Sequence, residues 1–476
     1  MRKNNLILIA VLLLIGFLAC SPRINHRFPV HLDEWVHLNW ATYVMDRENY
    51  MEKEPLFSEA SLPKHEVGFH VLLSEIFLMS GIDPVLQFRH IPVLFNIVSA
   101  LLLFIIIFKT TKNFYTGIFA MLFYASLRSN INILGTWFFV PFVFTFPLIF
   151  ILFYTTAKAA ENKRFLILSI LTIFLLFFIH VQVAIFSSLV FIIYLILNYK
   201  KITKNKKYLF LMILVPLIIL IFYTKALWNN NFIGFIQNII HRLTFKGYGQ
   251  GPAIDYNLLF FYGIIPSILA AIGAIFSLRD LKQRFWIIWI ALAGIILIIF
   301  AKFELTFFVA YRRLIYIIMV GLVPLSALGL SALLKYLKKK VRKLKKIIPS
   351  VVIAFVFIAA FWNYYNIPAN TKIFYLINDE EYDSLKWFEQ NYGNYNLIFA
   401  PRWLSETVYP ITKNYVDHNL VKLTDDKKDE FYQGNCTAKL NIARQVNASF
   451  VFSEKEINCS FLSQLHDDSI FIFKLR

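Results

Sequence analysis

Long apolar runs recur from the first ten residues of the chain to about residue 362, separated by short clusters of lysine and arginine. Several of these runs are long enough to cross a hydrocarbon core of about 30 Å. With 58% hydrophobic and only 16% charged residues, the chain has far more apolar surface than a soluble fold of this length could bury. The sequence therefore predicts a polytopic α-helical membrane protein. The net charge of +19 does not point to nucleic acid. Basic clusters between apolar runs are what the positive-inside bias places in cytoplasmic loops.

Charge and run length together predict a topology. Met1-Arg2-Lys3 places the N-terminus in the cytoplasm, and Leu6 to Cys20 forms the first span. That run also resembles a secretory or lipoprotein signal ending at Cys20. Phe17-Leu18-Ala19 matches a lipobox poorly, so an uncleaved helix is the preferred reading. Residues 21–66 form the first outer loop. The apolar stretch Val67 to Ser80 is too short to span and is expected to lie in the interface. The remaining spans are expected near 91–108, 114–127, 133–156, 165–179, 183–198, 208–223, 256–276, 285–301, 314–334 and 347–362. The total is about eleven transmembrane helices. In this register Lys109/Lys112, Lys158 to Arg164, Lys200 to Lys207, Arg279 to Arg284 and Lys335 to Lys346 all face the cytoplasm.

Residues 363–476 carry charges of both signs and no further spanning run, which predicts a small C-terminal α/β domain outside the cytoplasm. Leu397–Ala400 and Ser449–Phe452 have the pattern of short buried strands, and Asp383 is expected to open a helix. Cys436 and Cys459 fall in this domain, where a disulfide between them is one outcome and two free thiols the other. Asn435, Asn447 and Asn458 each begin an N-x-S/T triplet.

The first outer loop holds most of the chemistry-bearing residues. Asp33 and Glu34 are adjacent and flanked by His31 and His37, and five of the ten histidines lie between His26 and His70. If Asp33 begins a helix, it shares a face with His37 at i,i+4. A carboxylate at a membrane surface can act as general base toward a hydroxyl or contact a divalent cation. It can equally be a first-turn acid favoured by the helix dipole. The spacings match no defined metal motif, and Lys64-His65-Glu66 closes the same loop. A second outer segment ends in Tyr311-Arg312-Arg313, against the positive-inside trend. Guanidinium pairs grip phosphate, although snorkelling anchors use the same residues. His180 and Gln182 either line a cavity at the outer face or cap a turn. The glycine-rich segment 247–252 either covers a site or merely connects two spans.

These segments resemble the C superfamily of glycosyltransferases, polytopic enzymes that use polyprenyl-phosphate-linked sugars, such as protein O-mannosyltransferases and aminoarabinose transferases. The resemblance rests on Asp33-Glu34, on Lys64 to His70 leading through Gly81-Ile82-Asp83-Pro84 into Phe88-Arg89-His90-Ile91-Pro92, and on Tyr311-Arg312-Arg313-Leu314. This last motif runs into a span with Pro324 and Ser326-Ala327-Leu328-Gly329-Leu330. The chain has no Trp-Trp-Asp sequence, a departure from oligosaccharyltransferases. The resemblance implies transfer from a lipid-linked donor, with Asp33 as the leading catalytic residue, acting as base or metal contact, and Glu34 as its catalytic partner. Arg312, Arg313, Tyr311, His37, Lys64 and His65 would then bind substrate. It fixes neither the acceptor nor a cofactor, and a divalent cation is compatible with it. A flippase would instead need ionisable residues deep in its spans and two similar halves. A non-enzymatic scaffold would leave the acidic pair without a role.

Overall fold

A computed structural model describes, apart from short breaks, residues 2–47, 66–127, 135–202, 262–340, 375–416 and 425–476. The helices in chain order are α1 (Arg2–Cys20), α2 (Leu32–Arg47), α3 (Val67–Ser80), α4 (Ile91–Thr111), α5 (Phe114–Ala125), α6 (Pro141–Lys158), α7 (Arg164–Ile179) and α8 (Val181–Ile202). They continue with α9 (Ile264–Ser277), α10 (Arg284–Phe303), α11 (Tyr311–Lys340), α12 (Asp379–Tyr392), α13 (Arg402–Thr412), α14 (Asp425–Gln433) and α15 (Cys436–Val446). Among the described residues there are also five strands, β1 (Leu397–Phe399), β2 (Tyr415–Val416), β3 (Phe450–Ser453), β4 (Leu462–Asp467) and β5 (Phe471–Leu475).

These elements fall into two compact units. One comprises Met1–Ser21 with Pro92–Ala369, and the other Pro22–Ile91 with Asn370–Arg476. The first outer loop thus belongs with the C-terminal residues, a grouping that a linear division at residue 362 does not anticipate.

The first unit is helical and built for lipid. Among the described residues, six helical stretches are long and apolar enough to cross a membrane; α5, α7 and α9 are apolar but shorter, as is α3 of the second unit. The spans expected near 208–223 and 347–362 lie outside the described residues. The helix expected from residue 133 begins only at Pro141, because proline fits the first helical position and turns the preceding Val140 extended. Several buried polar groups inside this unit find partners within it, as a lipid surround favours. The Tyr124 hydroxyl donates to Asn96 Oδ1 at 2.8 Å, and Asn96 Nδ2 donates to the Thr136 carbonyl at 2.8 Å. The Trp289 indole N–H donates to the Ile317 carbonyl at 2.9 Å, joining α10 to α11. Helices α9 and α11 approach closely through Gly273 and Gly329, and the Ser326 hydroxyl donates to the Pro266 carbonyl at 2.8 Å.

The second unit carries a five-stranded sheet in the order β2-β1-β3-β5-β4. Strands β2, β1 and β3 run parallel, with Ile398 paired to both Val416 and Phe450; β5 and β4 complete the sheet antiparallel. Its parallel half follows from the alternation of short apolar strands with α13, α14 and α15, since parallel neighbours need crossover connections. Phe399, Phe431, Ile442, Val451 and Phe473 form part of the core beneath the sheet. The expected α/β character of the C-terminus is borne out. Its first helix starts at Asp379, four residues earlier than the expected Asp383. The Asn378 side chain accepts from the Glu381 N–H at 2.9 Å, while the Asn378 N–H donates to Glu381 Oε2 at 2.7 Å. That reciprocal cap satisfies two first-turn N–H groups and so sets the boundary.

Candidate functional site

The chain leaves α1 through a tight turn that buries Pro22 and Arg23, then enters α2 at Leu32. Asp33 and Glu34 both stand in the first turn of α2, where the positive end of the helix favours carboxylates. The structure separates these two sequence neighbours. Glu34 turns inward: its Oε1 accepts from Arg23 Nη2 at 2.5 Å and its Oε2 from the Val30 N–H at 2.7 Å. The Arg23 and Glu34 side chains are 1% and 0% exposed. Asp33 faces outward with a side chain 41% exposed, and its backbone N–H donates to His31 Nδ1 at 3.0 Å. That bond makes His31 Nδ1 an acceptor and so favours the neutral tautomer protonated on Nε2.

One turn beyond Asp33, His37 Nδ1 lies 3.0 Å from Nε2 of His70, a buried residue of α3. One ring must donate while the other accepts, so the pair holds a proton between two nitrogens. The Trp40 ring stacks on His70 with centroids 6.0 Å apart, and Phe69 meets His37 edge-on at 5.5 Å, which fixes both imidazoles. Among the described residues, no three His, Cys, Asp or Glu side chains gather to hold a metal ion.

Within the same unit, contacts to distant sequence tie α2 to the C-terminal residues. Lys413 Nζ donates to Asp46 Oδ1 at 2.8 Å, and Arg47 binds the Tyr415 hydroxyl while its guanidinium lies 4.5 Å over the Tyr395 ring. Asp83 caps the short helix after α3 and pairs with Lys386 at 3.6 Å, while the Tyr375 hydroxyl donates to the Pro22 carbonyl at 2.8 Å. The platform that presents Asp33 is thus braced at both ends.

The arginine segment belongs to the other unit. Tyr311 and Arg312 open α11, and their side chains lie outside the described residues, as do Lys64 and His65. The Arg313 guanidinium sits 5.3 Å over the Phe142 ring, and His180 meets the same ring edge-on at 5.6 Å. His180 Nδ1 accepts from the Val183 N–H at 3.3 Å, which is the turn-capping role open from sequence. Segment 247–252 lies outside the described residues.

Two residues of this constellation escaped the sequence reading. Arg23 is a base directly after the first span, the same break in charge bias that singled out Arg312 and Arg313. His70 stood in the resembling segment, but nothing local paired it with His37.

A model for a family of unknown function, DUF6541, matches residues 4–392. The chain belongs to this family. A search of curated protein sequences finds no match. Among solved structures, ArnT from Cupriavidus metallidurans superposes with a TM-score of 0.65 at 10% identity, covering 98% of this chain and 97% of that one. The oligosaccharyltransferase of Archaeoglobus fulgidus in its apo form gives a TM-score of 0.60 at 14% identity, covering 94% of this chain and 69% of that one. The same enzyme, AglB, in complex with an inhibitory peptide and a dolichol-phosphate, gives 0.59 at 13% identity with the same coverage. At such identities the likeness establishes the fold. This DUF6541 member is an integral membrane protein that shares its fold with ArnT and with the Archaeoglobus fulgidus oligosaccharyltransferase.

Proposed function

We propose that this protein is a membrane glycosyltransferase that moves a sugar from a polyprenyl-phosphate-linked donor to an acceptor on the extracytoplasmic side. The reading is carried by the partly exposed Asp33 carboxylate at the start of α2, in a fold shared with an oligosaccharyltransferase solved in complex with a dolichol-phosphate. The Cys436–Cys459 disulfide supports placing the C-terminal residues outside the cytoplasm, since such bonds persist in oxidising compartments.

The step is a single displacement at the anomeric carbon. An acceptor hydroxyl attacks, Asp33 takes its proton, and the bond from the anomeric carbon to the phosphate oxygen breaks with its electron pair staying on the lipid phosphate. Arg312 and Arg313 take the role of holding that phosphate, whose charge grows as the bond breaks. Glu34, committed to Arg23 and Val30, acts as a positioning residue that keeps the first turn of α2 in place. His37, hydrogen-bonded to His70, stands one turn from Asp33 to relay the proton onward.

The test is sugar transfer by the purified protein in lipid nanodiscs supplied with polyprenyl-phosphate-linked hexoses. Asp33→Asn should lower transfer by about 10²–10⁴-fold, the usual span for loss of a general base. Its thermal unfolding should match that of the parent protein. Undiminished transfer by Asp33→Asn would remove this residue from the mechanism.

A further inference from the structure

The second unit contains a cavity of about 530 Å³ that the chemistry above does not use. The segment just before α2 and the residues around the start of α12 line it, together with Trp403 and Glu454. Its volume falls in the range that takes small organic ligands. Its walls combine rings with hydrogen-bonding groups. Tyr375 is backed by His26, the two rings stacked with centroids 3.8 Å apart and 3° from parallel, so the phenol stands as a fixed wall. The half-buried Trp403 supplies an indole, and Asp379, Glu381 and Glu454 supply carboxylates.

Charge narrows the occupant. Three carboxylates face one guanidinium among the described lining residues, and that guanidinium, of Arg27, already pairs with Asp379 at 2.5 Å. Burial pushes the His26 imidazole down to about 4, against a weaker upward pull from its hydrogen bond to the Pro29 carbonyl, so the ring is neutral near pH 7. Burial also pushes the Glu381 carboxyl up; the Asn378 N–H opposes this, and Glu454 and Glu380 add to it. An anion would find no free cation here. A metal ion does not fit either, because these carboxylates do not gather as a ligand set. What suits acceptor-rich carboxylates between aromatic walls is a ligand with many hydroxyl donors and apolar C–H faces.

We infer that this cavity binds a neutral, hydroxyl-rich sugar of one or two rings. That the sugar is part of the acceptor rests on the glycosyltransferase reading above; that it binds here rests on the cavity alone.

The experiment titrates the full chain, in lipid nanodiscs free of maltoside detergent, with maltose, cellobiose and N,N′-diacetylchitobiose. Binding is read by saturation-transfer NMR and tryptophan fluorescence, with a uronic-acid disaccharide as anionic control. At least one neutral sugar should saturate at millimolar concentration. Trp403→Ala and Glu454→Gln should each weaken it by tenfold or more, and the uronate should not bind. Glu454 is exposed, so Glu454→Gln remains informative should Trp403→Ala fail to fold. Absence of saturation by every neutral sugar, preference for the uronate, or unchanged binding in Glu454→Gln would overturn the inference. Sugar binding without any transfer would sink the glycosyltransferase reading and leave the cavity standing. Transfer that is indifferent to both substitutions would show that the sugar bound here is not part of the acceptor, and would leave both the transfer reading and binding in the cavity standing.

Discussion

Arg23 and Glu34 meet at 2.5 Å with both side chains almost wholly excluded from solvent, eleven residues apart at the entry to α2. Removing one member of such a pair leaves the other charge buried without its partner, which typically destabilises by about 3–5 kcal/mol. Glu34→Ala should therefore lower the unfolding temperature sharply, and sugar transfer with it. The double variant Arg23→Met/Glu34→Leu should recover much of the lost stability, because replacing both charges by apolar groups is often neutral. Asp33→Asn should show the opposite pattern, with transfer lost and stability kept. A Glu34→Ala protein that melts like the parent would refute the structural role assigned to Glu34.

A second stability prediction concerns the closest approach of two membrane helices. A Cβ added to Gly329 would lie 1.9 Å from the Leu269 carbonyl oxygen, and one added to Gly273 would lie 1.9 Å from that of Leu325. Both obstacles are backbone, so α9 and α11 would have to separate. Overpacking of this kind costs about 1–3 kcal/mol or more. Gly329→Ala should lower the thermal midpoint, and Gly329→Leu should abolish recovery of monodisperse protein on size exclusion. Gly294→Ala is the matched control, since its Cβ would meet nothing within 4 Å. Equal behaviour of Gly329→Ala and Gly294→Ala would contradict the packing.

Much of the fold was legible in the sequence because its strongest signals are local. Run length and basic clusters mark most of the helices, and the strands at Leu397 and Phe450 show as short apolar runs. The boundaries that slipped were set by caps: Pro141 delays α6, and the Asn378–Glu381 box advances α12. The site was legible only in part. Asp33 and Glu34 look equivalent as neighbours in sequence, and what separates them is Arg23, whose pairing depends on the path between residues 23 and 34. Contacts such as Asp46 with Lys413 join residues 367 apart, and no periodicity reports a partner at that distance.

Stability should also vary with acidity in a defined window. His26 is buried, and its pKa falls from an ordinary 6.5 to about 4. Between those values the unfolded chain binds a proton that the folded chain does not, so stability falls as pH drops from about 6.5 toward 4. Above 6.5 this residue contributes no pH dependence. The loss through the window is at most roughly 3 kcal/mol. His26→Phe keeps a ring against Tyr375 but cannot titrate, so it should flatten the curve of thermal midpoint against pH in that interval. An identical slope for parent and variant would show that His26 does not govern it.

The disulfide connects stability to membrane orientation. Cys436 and Cys459 are joined across a separation of 23 residues, while Cys20 stays free. Closing a loop of that length stabilises by about 3 kcal/mol in the chain-entropy account. The bond joins the start of α15 to the segment between β3 and β4, so its loss should loosen the far side of the sheet first. Cys436→Ser/Cys459→Ser should therefore make the C-terminal residues more sensitive to protease without changing the melting of the helical unit. In living cells such bonds form and persist chiefly in residues that leave the cytoplasm. A reporter fused after residue 476 should then signal the exterior, and one inserted at residue 210 the cytoplasm. Thiols at 436 and 459 should resist alkylation until a reductant is added. If they react at once in unreduced cells, and the two reporters exchange sides, the C-terminal residues lie in the cytoplasm and sugar transfer at the outer face is excluded.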